Sequence, residues 1–103
     1  DLNLPFSDIT PEFLKELEAM EPFGMGNPEP TFRTTAVVIR SARIVGKNHL
    51  KMSLTHQGIL LDAILFRHGE KVPPQKTVDL AFSPEWNEWN GERSIQLRIK
   101  GIS

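Results

Sequence analysis

The chain contains no cysteine among its 103 residues, so it can form no disulfide and offers no thiolate ligand to a metal. This absence suits a reducing compartment, and we expect a cytoplasmic protein. No apolar run approaches the ~20 residues that a membrane-spanning helix needs, so we expect no membrane partner. No signal-peptide pattern opens the chain, and a first residue of aspartate indicates a piece of a longer protein.

Motifs of catalysis are also missing from the sequence. The three histidines, His49, His56 and His68, are scattered and lack the clusters of acidic residues that a metal site requires. No nucleophile motif and no Walker-type phosphate loop occurs. We therefore expect that the chain alone is not an enzyme and that it holds no catalytic residue, metal site or cofactor.

Charge is small overall but unevenly distributed. The formal net charge is −1, yet residues 1–30 carry seven acidic residues and one basic residue, whereas residues 31–103 carry six acidic and eleven basic residues. The near-neutral total argues against strong nucleic-acid binding by the chain alone. The basic C-terminal part is compatible with a surface that follows phosphates, although charge alone favours an ordinary solvated surface.

Helical spacing is confined to the beginning of the chain. Thr10 and Pro11 have the residue types of a helix cap and a first helical position. Pro22 ends a pattern in which apolar residues recur at helical spacing, at Phe13, Leu14, Leu17 and Met20. The pattern predicts a short amphipathic helix over residues 11–21.

From residue 36 onward the period changes to two, which is the period of a half-buried strand. Asn90-Gly91 is a strong hairpin signal, because both central residues of a type I′ turn need positive φ. With a loop over 67–76, the pattern fits a mostly β fold, a five-stranded oligonucleotide-binding (OB) barrel with an N-terminal helix. An SH3-like barrel or a small sandwich fits almost as well. The predicted strands cover residues 36–45, 49–54, 59–66, 78–82 and 94–100.

The most specific motif is Pro-Phe-Gly-Met-Gly-Asn-Pro-Glu-Pro at residues 22–30. Prolines fix their own φ and glycines permit positive φ, so this segment is a rigid connector of defined shape. It resembles the segment that leads into the OB domain of the RecJ family of bacterial single-strand-specific DNA exonucleases. The resemblance continues, in order, through residues 45–51, Trp86-Asn87-Glu88-Trp89-Asn90-Gly91 and Gln96-Leu97.

This resemblance favours the OB barrel over the other β folds and implies a division into a helix and connector, 1–32, and a barrel, 33–103. It implies a parent protein that digests single-stranded DNA from the 5′ end in recombination and repair. The Asp/His motifs of such nucleases lie in a separate domain that binds Mn²⁺ or Mg²⁺, and none of them occurs in this sequence. The implied partners are single-stranded DNA, the nuclease core of the same polypeptide and other repair proteins.

One group of candidate DNA-binding residues lies around the first strand-to-strand turn. In OB folds this turn and the face of strands two and three commonly meet the ligand. Lys47 and Lys51 are candidates for phosphate contacts, and Asn48 and His49 for hydrogen bonds to bases or backbone. The alternative is a plain polar hairpin in which Asn48 serves the turn.

A second group lies around the predicted loop before the last strand, which contains both tryptophans. Trp89 is the candidate platform for stacking a base, whereas Trp86 is in phase with the buried positions of strand four and is assigned to the core. The alternative is that both tryptophans close the barrel end. Basic candidates are Arg67, Arg93 and Arg98, for which a solvated face is the default.

Two functional hypotheses remain from the sequence. The first is a single-strand-binding OB domain that guides the strand to a separate metal-dependent nuclease core. The second is a module that docks to the nuclease core or to another repair protein, with incidental DNA contact; the acidic, amphipathic first thirty residues favour it.

Overall fold

The computed structural model describes residues 2–21, 29–66 and 75–103. The chain forms one α-helix, one short 3-10 helix and six strands in these ranges. In chain order they are β1 (Leu2–Asn3), the 3-10 helix (Phe6–Asp8), α1 (Pro11–Glu18), β2 (Phe32–Val45), β3 (His49–His56), β4 (Ile59–Leu65), β5 (Thr77–Trp89) and β6 (Glu92–Ile102). No described helix is long and apolar enough to cross a membrane.

The five long strands close into a barrel. The strands are neighbours in the order β2-β3-β4-β6-β5, and β5 pairs back onto the first half of β2. Strands β4 and β6 run parallel, through Asp62–Ile64 and Gln96–Arg98, whereas the other barrel pairs are antiparallel. This closed five-stranded arrangement confirms the predicted OB-type barrel. The two-residue β1 adds a parallel partner to β2 that the sequence pattern did not predict.

Alternation along the strands places one side of each in the core. On β3, Leu50, Met52 and Leu54 are buried, and the residues between them are only partly covered. Successive side chains of a strand point to opposite faces, so these three face the barrel interior. The same alternation on β5 buries Val78, Leu80 and Phe82, as the sequence predicts.

The N-terminal segment belongs to the same core as the barrel. The side chains of Leu4, Phe6, Ile9 and Leu14 are buried in one cluster with the strand residues. The ring of Phe6 meets that of Phe82 edge-on, with centroids 6.5 Å apart. The apolar stripe of α1 therefore packs on the barrel itself, which the sequence left open between the barrel and a missing neighbour.

Helix α1 ends at Glu18, three residues before the predicted end. The amide of Met20 bonds to the carbonyl of Leu17, and the amide of Glu21 bonds to that of Glu18. Such i→i+3 bonds tighten the last turn of a helix and end its regular α geometry. The predicted helix start at Pro11 is confirmed, with Thr10 as its cap.

Replacing Thr10 with alanine is expected to lower the free energy of unfolding by about 1 kcal/mol. The Thr10 hydroxyl oxygen accepts a hydrogen bond from the amide of Phe13 at 3.1 Å, and alanine leaves that amide without its partner. Thermal melts followed by circular dichroism measure the loss. Thr35→Ala, at an exposed strand position, is the matched control; an equal loss in both variants contradicts the capping role.

Strand β5 is longer than predicted, which corrects the placement of both tryptophans. Trp86 and Trp89 lie within β5 and not in a loop before the last strand. The strand continues through Pro84 because β5 pairs with β2 only as far as Phe82 among the described residues. Beyond Phe82, among the described residues, one edge of β5 has no partner strand. A strand tolerates proline at such an edge.

Candidate nucleic-acid interface

The turn between β2 and β3 exposes two of the predicted residues. Gly46 and Asn48 have φ of 58° and 69°, the left-handed region that glycine and asparagine tolerate best. Asn48 therefore serves the turn through its backbone. The side chains of Lys47 and Asn48 are exposed at the tip, where both can reach a ligand.

A row of basic residues crosses the outside of the barrel from this turn. Lys51 on β3 lies opposite Arg43 on β2 and opposite Ile64 on β4, and Ile64 in turn lies opposite Arg98 on β6. Their sequence neighbours Met52, Ala63 and Leu97 are buried, so the row faces outward. We call Arg43, Lys51 and Arg98 the basic row. Strands lie about 4.8 Å apart, so the row spans roughly 14 Å.

Arg43 is a member of this row that no pattern in the sequence singles out. Arg43 lies on the other side of the first turn from Lys51, and only the register of β2 against β3 makes the two neighbours. The sequence indicates the pairing of Arg43 with Lys51 in part, because a hairpin turn at residues 46–48 pairs residues that lie at equal distances from it.

An aromatic pair extends the outer face beside the basic row. The rings of His49 and Phe66 meet edge-on with centroids 5.1 Å apart. His49 lies two residues before Lys51 on β3, so both side chains point to the same face. Phe66 is a large apolar side chain that is 48% exposed, and no motif in the sequence points to it.

The hairpin between β5 and β6 carries the two tryptophans in different environments. Asn90 and Gly91 have positive φ of 52° and 78°, which confirms the predicted tight turn. Trp89 is 75% exposed at the end of β5, so its assignment to the surface is confirmed. Trp86 packs against the core but is only partly buried.

Arg93 and Glu18 hold Trp86 in place. The indole Nε1 of Trp86 donates a hydrogen bond to the carboxylate of Glu18 at 2.6 Å, and the Arg93 guanidinium lies 4.3 Å from the centre of the Trp86 ring. Arg93 also faces Glu88 at 3.4 Å and Glu18 at 3.8 Å. The predicted DNA contact of Arg93 therefore competes with two carboxylates and an aromatic face of its own chain.

Arg98 is also paired within the chain. Its Nε donates to Glu85 at 3.2 Å, and its Nη2 contacts the carboxylate of Glu29. The Lys100 ammonium lies 3.4 Å from the same Glu29 carboxylate. Partial burial opposes ionisation of Glu29, but the Ser83 hydroxyl and the charges of Arg98 and Lys100 outweigh it and hold the pKa of this carboxyl below its usual range.

A groove of about 350 Å³ separates α1 from the hairpin. Its apolar part is formed by Leu14, Leu17, Pro84 and Trp86. Its charged lining is mainly acidic and consists of Glu18, Glu21, Glu29, Glu85 and Arg98. This lining repels phosphates while its carboxylates are in place, and Arg98 is the residue that the groove shares with the basic row.

The model of the RecJ OB domain family matches residues 1–101 of this sequence. The chain belongs to that family. It is 33% identical to the single-stranded-DNA-specific exonuclease RecJ of Bacillus subtilis over 97% of this chain and 13% of that protein. It is 35% identical to the exonuclease of the same name from Haemophilus influenzae, over 99% of this chain and 19% of that protein.

Solved structures of RecJ contain the same barrel. The crystal structure of Thermus thermophilus RecJ in complex with Mn²⁺ superposes on 100% of this chain with a TM-score of 0.77 and 29% identity. The structure of its complex with Mg²⁺ gives a TM-score of 0.75 over 99% of the chain. The RecJ OB domain described here spans 16% and 15% of the Mg²⁺ and Mn²⁺ chains, so it is a small part of proteins that were solved with divalent metals.

No group of three metal-ligating side chains occurs within residues 2–21, 29–66 and 75–103 of this RecJ OB domain. The predicted site residues fall into two separate groups. Lys47, Asn48, His49 and Lys51 lie near the β2–β3 turn, whereas Trp89 and Arg93 lie at the β5–β6 hairpin. Arg98 lies on β6 about 17 Å from Arg93, at 3.3–3.4 Å per residue. Arg67 lies outside the described residues.

Proposed function

We propose that this RecJ OB domain holds single-stranded DNA across the outer face of β3 and β4 and guides it to a separate, metal-dependent nuclease core of the same polypeptide. The parent would act as an exonuclease on single-stranded DNA, as the names of the relatives suggest. The 5′-to-3′ direction and the place in recombination and repair are what the family resemblance implies. The observation that carries the proposal is the basic row beside exposed aromatic rings.

Two cations of the row are available to phosphates. Within the described ranges, neither Arg43 nor Lys51 forms an ion pair, in contrast to Arg98. Lys47 adds a third exposed cation at the turn. Phosphate contacts supply most of the affinity in non-specific nucleic-acid binding, so these three residues are expected to supply most of the electrostatic attraction.

Aromatic surfaces on both sides of the row suit unpaired bases. The His49–Phe66 pair adjoins the row near the turn, and Trp89 projects from the hairpin. Every base has a face that can stack on an aromatic ring, but the stacked bases of a duplex hide theirs. The arrangement therefore favours single strands over duplex DNA without requiring any base sequence.

A docking module is the second candidate, and one apolar patch favours it. Leu60 on β4 and Val38 on β2 both lie opposite Thr55 on β3, on the outside of the barrel. Leu60 is 60% exposed and Val38 36%. This pair of apolar side chains is suited to contact with another protein surface and does not contribute charge to DNA binding.

Lys51→Ala is expected to weaken binding of an oligo(dT) by about five- to tenfold at 50 mM salt and to reduce the slope of log K against log [salt] by about 0.7, since one phosphate contact is lost. Fluorescence anisotropy titrations at salt concentrations between about 50 and about 300 mM measure both the affinity and the salt slope. The proposal predicts that duplex DNA of equal length binds more weakly.

Arg33→Ala is the matched control, because Arg33 is an exposed cation on β2 that lies outside the basic row and pairs with Asn3 of β1. It removes the same charge from another surface. Equal losses in the two variants would show that only total charge matters. Binding that responds to neither variant would favour the docking module.

A further inference from the structure

The carboxylate of Glu29 lies where two cations of β6 converge. Arg98 and Lys100 are two residues apart on this strand and therefore point to the same side. Glu29 contacts both, and about a third of each of the three side chains remains exposed to solvent. The contact is thus accessible from outside and is not sealed in the core.

These cations are chemically suited to a phosphodiester. A guanidinium and an ammonium that bind a carboxylate present the same donors to phosphate oxygens. Arg98 is also the last member of the basic row, two strands from Lys51, which is roughly 10 Å. A strand of DNA that follows the row from Lys51 therefore arrives at the position of the Glu29 carboxylate.

The charges of the cluster show what Glu29 changes. Arg98 and Lys100 supply two positive charges, and Glu85 and Glu29 supply two negative ones. The cluster is neutral with Glu29 in place and carries one net positive charge without it. About a third of each side chain is exposed, so another anion can reach the two cations from solvent.

We propose that Arg98 and Lys100 form a phosphodiester-binding site that Glu29 occupies as an internal ligand, so that the DNA strand must displace this carboxylate in order to use it. The inference rests on the proposed function of single-strand binding. Displacement does not require the connector to detach. Ser83 still donates to the carbonyl of Pro30 and Lys100 to the hydroxyl of Thr31, both at 2.7 Å.

The variant Glu29→Gln tests the proposal on the 103-residue chain. It should bind oligo(dT) about five- to tenfold more tightly than the original chain at 50 mM salt and steepen the salt slope by about 0.7, equivalent to one added phosphate contact. Glu12→Gln is the control, because it removes the same charge from an exposed position of α1 that forms no ion pair among the described residues.

A second set of variants identifies the cation that becomes available to DNA when Glu29 is replaced. The gain should be absent when Arg98→Ala is the parent, so Arg98→Ala and the double variant Glu29→Gln/Arg98→Ala should bind oligo(dT) equally. Glu29→Ala must reproduce the gain, and thermal melts must show that each variant is folded. The proposal is wrong if Glu29→Gln has the same salt slope as Glu12→Gln. It is also wrong if the gain in affinity persists in the double variant Glu29→Gln/Arg98→Ala.

Lys51→Ala separates this inference from the proposed function. If Lys51→Ala weakens binding and Glu29→Gln does nothing, the basic row stands and the internal ligand is refuted. If Glu29→Gln strengthens binding through Arg98 while Lys51→Ala has no effect, the site on β6 stands and the path along the row is wrong. If none of the variants binds single-stranded DNA, both are refuted.

Discussion

Replacing Trp89 with alanine is expected to weaken the binding of single-stranded DNA by about 5- to 150-fold, or ~1–3 kcal/mol, which is the usual contribution of one base stacked on an aromatic ring. Trp89 is 75% exposed at the end of β5, so its indole is available as a stacking surface. The same exposure means that little packing is lost and that thermal stability should hardly change. Anisotropy titrations and thermal melts of the same preparations measure the two effects.

Trp89→Phe is the control for stacking, because it keeps an aromatic face and removes the indole N–H. It should retain most of the affinity. Stacking is insensitive to salt, so the loss in Trp89→Ala should persist when the salt concentration is raised. A Trp89→Ala variant that binds normally but melts early would assign Trp89 to the hairpin's stability and would refute the stacking role.

Phe82→Ala is expected to lower the free energy of unfolding by about 3–5 kcal/mol, the cost of removing a large aromatic ring from a closed core. The side chain of Phe82 is completely buried, and its ring contacts that of Phe6 edge-on. The cavity would therefore open where the N-terminal segment meets the barrel. Denaturant titration followed by tryptophan fluorescence gives the change in free energy.

Phe66→Ala is the matched control for this measurement, since the ring of Phe66 is 48% exposed. We expect a much smaller loss of stability for it. Trp86→Ala should fall between the two, because Trp86 is only partly buried but also loses its hydrogen bond to Glu18. Similar losses for Phe82 and Phe66 would contradict the burial that the structure assigns to them.

The strands could be predicted because their signals are local. The alternation of Val78, Leu80 and Phe82 marks the inward face of β5 within five residues, and Asn90-Gly91 marks the following turn by residue type alone. The same alternation, continued past Pro84, assigned Trp86 to the inner side and Trp89 to the surface. The length of β5 was not predictable in this way, because proline normally argues against a strand.

The candidate interface was predicted only in part. Lys47, Asn48, His49 and Lys51 are neighbours in sequence, so placing the turn placed all four. Arg93 and Arg98 were assigned from residue type, and their carboxylate partners lie on other elements: Glu18 on α1 and Glu29 in the connector. Charge in a sequence does not show whether a cation is already neutralised in the fold.

Periodicity and turn chemistry act over a few residues, so the sequence by itself determined a five-stranded β pattern and its turns. Among the folds that fit this pattern, the family resemblance favoured the OB barrel. The tertiary structure alone decided which cations remain available for DNA. Glu29 contacts Arg98 across 69 positions of sequence, and Glu18 contacts Trp86 across 68. These pairs exist because closing the barrel and packing α1 on it bring distant segments together, and no local pattern specifies a separation of that length.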